Sequence, residues 1–324
     1  MKLTSFFTTI GIVLLSACSS DDDTSSSSSV NYKEEMRNFV INISKAAKAS
    51  RSGFLIVPQN GIELVTQNGE EDGPLHTAYL DAVDAHGQED FLYGYNQDDE
   101  ATPSDATTYL KAFLDRSSSS GNRILITDYC STDSKKSASY TTNNSYGYIS
   151  YAAEHRELDI IPVSEPYQAH NGDVATLADA KNFLYLLNSK NYSSKSDFLQ
   201  ALKATRYDVL IIDMFFTDGT ALTADEVAQL KTKSGGGSRK VIAYMSIGEA
   251  EDYRYYWQSD WNKNKPSWMD AENPNWPGNY KVKYWNTDWQ NIIYKNSDSY
   301  LNKIVNAGFD GVYLDIIDAF EYYE

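Results

Sequence analysis

Four strand-like runs in this chain lead to carboxylates. Val209-Leu210-Ile211-Ile212 runs into Asp213, and Ala243-Tyr244-Met245-Ser246-Ile247-Gly248 leads to Glu249. Gly311-Val312-Tyr313-Leu314 ends in Asp315, with Asp318 three residues on, and the run from Ala82 is followed by Gly87-Gln88-Glu89. Carboxylates gathered at one mouth raise one another's pKa. One raised and one ionised carboxyl is the pair that glycoside hydrolysis requires. Taken singly, each residue reads equally well as a helix N-cap or a salt-bridge partner. Together they point to a site.

Aromatic side chains crowd the same stretches. Tyr253, Tyr255, Tyr256 and Trp257 follow Glu249, Tyr93 and Tyr95 follow Glu89, and Trp276, Tyr280, Tyr284 and Trp285 come later. Rings with polar edges suit the apolar faces and hydroxyl rims of sugars, although any one of them reads as well as packing. Arg254 is a candidate clamp for a carboxylate, of substrate or of protein. Cys130, a lone thiol closing a strand, reads as packing before it reads as a nucleophile. Four His without zinc-type spacing predict no metal site, and no phosphate-binding glycine motif predicts a nucleotide cofactor.

The elements that must position these groups alternate. Met36, Phe39, Val40, Ile43, Ala46 and Ala47 recur at helical spacing, and Phe54–Val57 is a continuous apolar run of the kind buried on both faces of a parallel sheet. Further strands are expected at Ala82–Ala85, Arg123–Thr127, Asp159–Val163, Asp208–Ile212, Val241–Met245, Lys281–Trp285 and Gly311–Leu314. Helices are expected at Asp105–Arg116, Thr223–Lys233 and Asp288–Val305. Asn182–Leu187 reads as a ninth strand or an edge segment. Eight strands alternating with helices predict an α/β fold, a single (β/α)8 TIM barrel, with an open doubly wound sheet as the alternative. In a barrel, catalytic groups sit at the C-terminal ends of strands.

The chain has 324 residues with 28 Lys plus Arg against 45 Asp plus Glu, a formal charge of −17. That surplus argues against nucleic acid and against an anionic membrane face as partners. Lys2, the apolar stretch Leu3–Leu15 and Leu15-Ser16-Ala17-Cys18 form a charged, apolar and small-residue series typical of a signal peptide. A Cys directly after Leu-Ser-Ala resembles a bacterial lipobox, so cleavage before Cys18 and lipidation of Cys18 are expected. Ser19-Ser20-Asp21-Asp22-Asp23 and the Ser run to Ser29 resemble the export signal of surface lipoproteins and read as a flexible tether. The expected organisation is a signal peptide at 1–17, a lipidated tether at 18–30 and one barrel at 31–324. The expected place is the outer membrane, surface-exposed, with the chain a monomer.

Two longer motifs carry a family resemblance. Ser246-Ile247-Gly248-Glu249-Ala250-Glu251-Asp252-Tyr253-Arg254 and the stretch Gly308–Phe320, with Phe54–Asn60 and Glu89–Asn96, resemble glycoside hydrolase family 114. That group contains endo-α-1,4-polygalactosaminidases, and the likeness extends over most of the chain from about Lys33. The resemblance implies a TIM barrel, retention of anomeric configuration, and two carboxylates: an Asp ending the fourth strand and a Glu ending the sixth. By motif these are Asp315 as nucleophile and Glu89 as general acid/base, with Glu63 as the alternative to Glu89. Retention sets their carboxyl oxygens about 5–5.5 Å apart. Asp213, Glu249, Asp318, Tyr253, Arg254, Tyr95, Tyr244 and Trp285 become candidate substrate-binding residues. In the family the helix and strand resembling Glu34–Asn60 follow the Gly-Val-Tyr-Leu-Asp strand. Here they precede it, so the chain resembles a circular permutant starting at the helix after family strand 4.

The resemblance implies an amino-sugar polysaccharide of the α-1,4-galactosamine type as substrate, whose ammonium groups an acidic mouth attracts. The alternatives are a glycan-binding lipoprotein without turnover and a metal-dependent hydrolase.

Overall fold

The computed structural model describes residues 30–324. The expected signal peptide, Cys18 and the tether up to Ser29 lie outside the described residues. Eight parallel strands run through the chain in order: β1 Leu55–Pro58, β2 Ala85–Glu89, β3 Arg123–Tyr129, β4 Ile149–Ala153, β5 Phe183–Leu186, β6 Val209–Ile212, β7 Lys240–Ser246 and, later, β11 Gly311–Asp315. They form one sheet in the order β5-β6-β7-β11-β1 and another in the order β2-β3-β4. A parallel bridge between Gln59 and Gly87 joins β1 to β2, and β4 lies beside β5. Helices α1 (Tyr32–Ser50), α2 (Thr77–Ala82), α3 (Ser104–Ser119), α4 (Asp133–Ser145), α5 (Lys195–Lys203) and α6 (Ala224–Leu230) connect them. This mixed α/β arrangement with parallel sheets is TIM-like.

Between β7 and β11 the chain adds a small antiparallel sheet. Its strands are β8 Glu249–Glu251, β9 Met269–Glu272 and β10 Asn279–Val282, in the order β8-β10-β9. Then come α7 (Thr287–Gln290), one π-helical turn at Asn291–Lys295 and α8 (Tyr300–Asn306).

Local chemistry accounts for the elements that sequence predicts well. The Asn31 side chain accepts from the Glu34 amide at 3.0 Å, Glu34 and Glu35 occupy the first turn of α1, and Met36, Phe39, Val40, Ile43 and Ala47 form its buried face. Packing between strands is equally specific. The Tyr185 and Tyr313 rings lie 5.1 Å apart, and a Cβ on Gly87 would stand 2.0 Å from the Tyr313 hydroxyl. Glycine at 87 is what lets Tyr313 fit.

Three expected strands are corrected. Ala82–Ala85 is the end of α2, the turn Val83-Asp84 and only the first residue of β2, whose Ala-His-Gly-Gln-Glu sequence has no apolar run to announce it. His86 in that strand is buried and bonds Ser117 of α3 at 2.7 Å. Asp159–Val163 is an irregular loop with Val163 fully exposed; the strand is β4, where Ser150 and two alanines dilute the apolar signal. Lys281–Trp285 overlaps only the end of β10, an antiparallel strand outside the parallel sheets. The undecided segment Asn182–Leu187 is the parallel strand β5. The helix expected over Asp288–Val305 is broken into α7, the π turn and α8. Helix α4, rich in Ser, Thr and Asn, gave no periodic signal.

Candidate active site

Carboxylates at the two ends of the parallel strands have different surroundings. At the N-terminal ends, Asp84, Asp208 and Asp310 each accept a backbone N–H from outside their own strand, from Ile56 at 2.9 Å, Lys181 at 2.8 Å and Val241 at 2.9 Å. Each also meets a lysine: Lys48 at 3.1 Å, Lys233 at 2.8 Å and Lys231 at 2.7 Å. These are satisfied structural groups. At the C-terminal ends, Glu89, Asp213 and Asp315 open on a cavity of about 420 Å³ that also takes in Glu249, Glu251 and Asp318. Residues at or just past the C-terminal end of every parallel strand line it. The lining holds seven carboxylates against two arginines.

Both arginines are already engaged. The Arg254 Nη1 contacts both Asp213 oxygens at 2.8 and 2.7 Å, and its Nε donates to Glu251 at 2.6 Å. Arg156 donates to Asp90 at 2.8 Å and to Asp98 at 2.7 Å, while lying 3.8 Å over the Tyr129 ring. Asp213 and Glu251 thus share the single guanidinium of Arg254.

Asp315 and Glu89 have no such partner and are held by neutral donors. The Tyr244 hydroxyl donates to Asp315 Oδ2 at 2.7 Å. Glu89 accepts from the Tyr129 hydroxyl and from Asn60 Nδ2 at 3.1 Å. Burial first, and then the Glu89 charge, push the Asp315 carboxyl from 3.8 up to about 7, against the pull of Tyr244. Asp318 is also pushed well above the usual carboxylate range, by burial first and then by Asp315, Glu321 and Glu63 around it.

The backbone behind these groups turns sharply. Asn60, Asp90 and Ile316, each at or near the residue following a strand end, sit at φ of 60°, 58° and 59°. For the β-branched Ile316 this left-handed conformation is strained. The motif Ser246–Glu249 secures it: the Ile247 amide donates to the Asp315 carbonyl at 3.0 Å. A Cβ on Gly248 would stand 2.1 Å from the Ile316 carbonyl, so glycine there admits the close approach. The two motifs that carry the resemblance thus pack against each other around Asp315.

Of the predicted site residues, Asp315, Glu89, Asp213, Glu249, Asp318, Tyr253, Arg254 and Tyr244 meet in this one cavity. Tyr95 lies in an adjoining groove with Glu63 and Tyr109, which shares Asn60, Glu89 and Asp318 with the cavity. Trp285 is elsewhere, packed against Tyr32, Tyr284 and Tyr323 with ring centroids 4.8–5.1 Å apart. Tyr256 packs against Trp289 and Tyr300, while Tyr255 stacks on Phe215 and Tyr300 with part of its ring exposed. Sequence reasoning missed Tyr129, Arg156, Glu251 and Asn188. Tyr129 ends β3 and a search of strand ends for any polar residue finds it; Arg156 follows β4, whose position was misread. Cys130 is buried, and desolvation pushes its thiol up to about 12, which suits packing. Among the described residues, no group of three His, Cys, Asp or Glu side chains is arranged to hold a metal ion.

Residues 164–323 match the family model for glycoside-hydrolase family GH114. An uncharacterized protein of Methanocaldococcus jannaschii is 43% identical over 155 residues, covering 44% of this chain and 42% of that one. Uncharacterized proteins of Thermotoga maritima and Deinococcus radiodurans are each 40% identical, over 122 and 123 residues, covering 38% of this chain and 36% and 37% of theirs. The chain spans less than half the length of these curated relatives.

Proposed function

We propose, from the match of residues 164–323 to glycoside-hydrolase family GH114, that the protein is a retaining glycosidase acting on an amino-sugar polysaccharide of the α-1,4-galactosamine type. One observation carries the reading: Asp315 and Glu89 open on the same cavity, neither paired with a cation, and the Glu89 charge bears on Asp315. Asp315 is the nucleophile. Its carboxylate attacks the anomeric carbon while Glu89 gives a proton to the departing glycosidic oxygen, leaving a covalent glycosyl-enzyme. Glu89, now a base, takes a proton from water, which attacks the anomeric carbon and releases Asp315. An ammonium-bearing sugar favours the ionised form of Asp315. Asp213, Asp318, Tyr253 and Tyr244 line the path of the chain, and the excess of carboxylates draws in a cationic polymer.

Chain order supports a permuted, closed barrel. Counting from β5, the strands run β5, β6, β7, β11, then β1, β2, β3, β4. Asp315 then ends the fourth and Glu89 the sixth, the positions that the resemblance implies. The family match begins at 164, just ahead of β5, and runs through β11. The Gln59–Gly87 bridge and the proximity of β4 to β5 close the ring in this reading. Lipidation at Cys18 holds the barrel at the cell surface; labelled palmitate incorporated by the wild type and not by Cys18→Ala tests that placement.

The deciding experiment measures reducing ends released from a galactosamine-rich polymer. Release by the wild type and its loss in Asp315→Asn support the reading. Binding without release, unchanged by Asp315→Asn, identifies a glycan-binding protein instead.

A further inference from the structure

Glu249 was expected to touch substrate, yet its surroundings assign it a different task. It is fully buried, with 0% of its surface exposed. Its Oε1 accepts from Asn273 Nδ2 at 2.8 Å and from the Tyr322 hydroxyl at 2.7 Å, and its Oε2 accepts from Asn279 Nδ2 at 3.3 Å. No basic side chain is among these partners. A carboxylate committed in this way has little left for a sugar.

What it grips is informative. Asn273 and Asn279 are the two ends of the turn joining β9 to β10, and their backbones close on each other with the Asn273 amide 2.7 Å from the Asn279 carbonyl. Inside the turn, the Asn275 amide donates to Asn273 Oδ1 at 3.0 Å and the Asn279 amide to the Trp276 carbonyl at 3.1 Å. Outside it, the Gly278 amide donates to Glu272 at 2.7 Å. At the centre of this wired turn stands Trp276, which lines the cavity yet is 56% exposed. The third donor, Tyr322, lies just beyond the strand that ends in Asp315. One buried carboxylate therefore links the turn bearing an exposed indole to the segment bearing the reacting group.

We infer that Glu249 is a positioning residue that fixes the Trp276 ring as a stacking platform for a sugar one or more units from the scissile bond. The inference rests on the glycan-binding reading above, and it adds a specificity-determining residue and the device that holds it. An indole offers a flat apolar face to a pyranose without a charge requirement. It therefore selects for chain length and ring face, whereas the carboxylates select for charge. Most of the gain from such a platform depends on its being held before binding, since ordering a free turn opposes affinity.

The test has two arms. The first needs no substrate: the fluorescence difference between wild type and Trp276→Phe isolates the emission of Trp276, and acrylamide quenching reports its mobility. The same difference is measured in Glu249→Gln, Asn273→Ala and Tyr322→Phe backgrounds. A quenching constant for Trp276 that rises in these backgrounds is expected; unchanged quenching in all three overturns the inference, and Tyr322→Phe keeps the arm decisive if Glu249→Gln does not fold. The second arm compares galactosamine oligosaccharides of increasing length. Trp276→Ala is expected to raise KM roughly tenfold for the longer oligomers, with a smaller change in kcat, the size of one lost stacking contact. Glu249→Gln should raise KM in the same direction and add little further in the Trp276→Ala background. Additive effects would place Glu249 on the sugar itself and overturn the inference. If the wild type neither binds nor cleaves these oligomers, the substrate reading fails, and the quenching arm still decides the role of Glu249.

Discussion

The Tyr244 hydroxyl, carried by β7, donates to Asp315 Oδ2 on the adjacent strand β11 at 2.7 Å. Tyr313 pairs with Tyr244 in the register of these two strands, and Asp315 pairs with Ser246. The bond thus crosses between neighbouring strands and is set by the sheet, not by a loop. It is also the contact that holds the Asp315 pKa down against burial and the Glu89 charge.

The pH profile follows from that balance. Attack needs ionised Asp315, and its carboxyl is pushed up to about 7, so kcat/KM should rise with pH through that region. Tyr244→Phe removes the stabilising donor and moves this acid limb to higher pH. A limb that stays in place, measured by initial rates between pH 5 and 9, would separate it from Asp315.

Stability should run the other way. The folded chain keeps a proton on Asp315 between the ordinary 3.8 and about 7 that the unfolded chain releases. Stability therefore falls as pH rises across that window. Asp315→Asn abolishes turnover and removes the decline, raising Tm above wild type at pH 7.5 and converging with it near pH 4. The gain is up to about 4 kcal/mol for the full shift, less where cavity water screens the charge. Calorimetry at the two pH values reads it.

Stereochemistry assigns the two roles. With Asp315→Ala, external azide can attack only from the vacated nucleophile face, giving one glycosyl azide of inverted configuration. With Glu89→Ala and an activated leaving group, the glycosyl-enzyme still forms and azide replaces water, giving retained configuration. The opposite pattern, read by NMR of the products, exchanges the roles.

Removal of a carboxylate at the other end of the strands should leave chemistry alone. Asp208 and Lys233 are a buried pair at 2.8 Å with His170 2.9 Å from the same carboxylate. Asp208→Ala leaves the lysine unpaired and should cost about 3–5 kcal/mol in urea unfolding. KM for any accepted oligosaccharide should change less than twofold in the fraction that remains folded.

The legible part of this molecule was its apolar strands and the carboxylates that follow them. Val209–Ile212, Val241–Met245 and Gly311–Leu314 announced themselves because both faces are buried, and Asp213, Glu249 and Asp315 came with them. Strands β2 and β4 were hidden because small and polar residues fill them: Gly87 makes room for Tyr313, His86 bonds Ser117, and Ser150 sits among alanines. Strand position alone does not separate Asp213, engaged by Arg254, or Glu249, gripped by two asparagines and a tyrosine, from Asp315; only the family motif does so. That distinction lies in contacts between residues up to 73 positions apart.

Gly87 and Tyr313 are coupled in heredity. The slot that one residue vacates is the slot the other's hydroxyl enters, so a side chain at 87 is admitted only once 313 has shortened. A lineage carrying a larger residue at 87 must already carry a shorter one at 313, two residues before Asp315. Drift in the interior is thereby channelled toward exchange in one order, and the strand that ends in Asp315 inherits a neighbour's constraint along with its own.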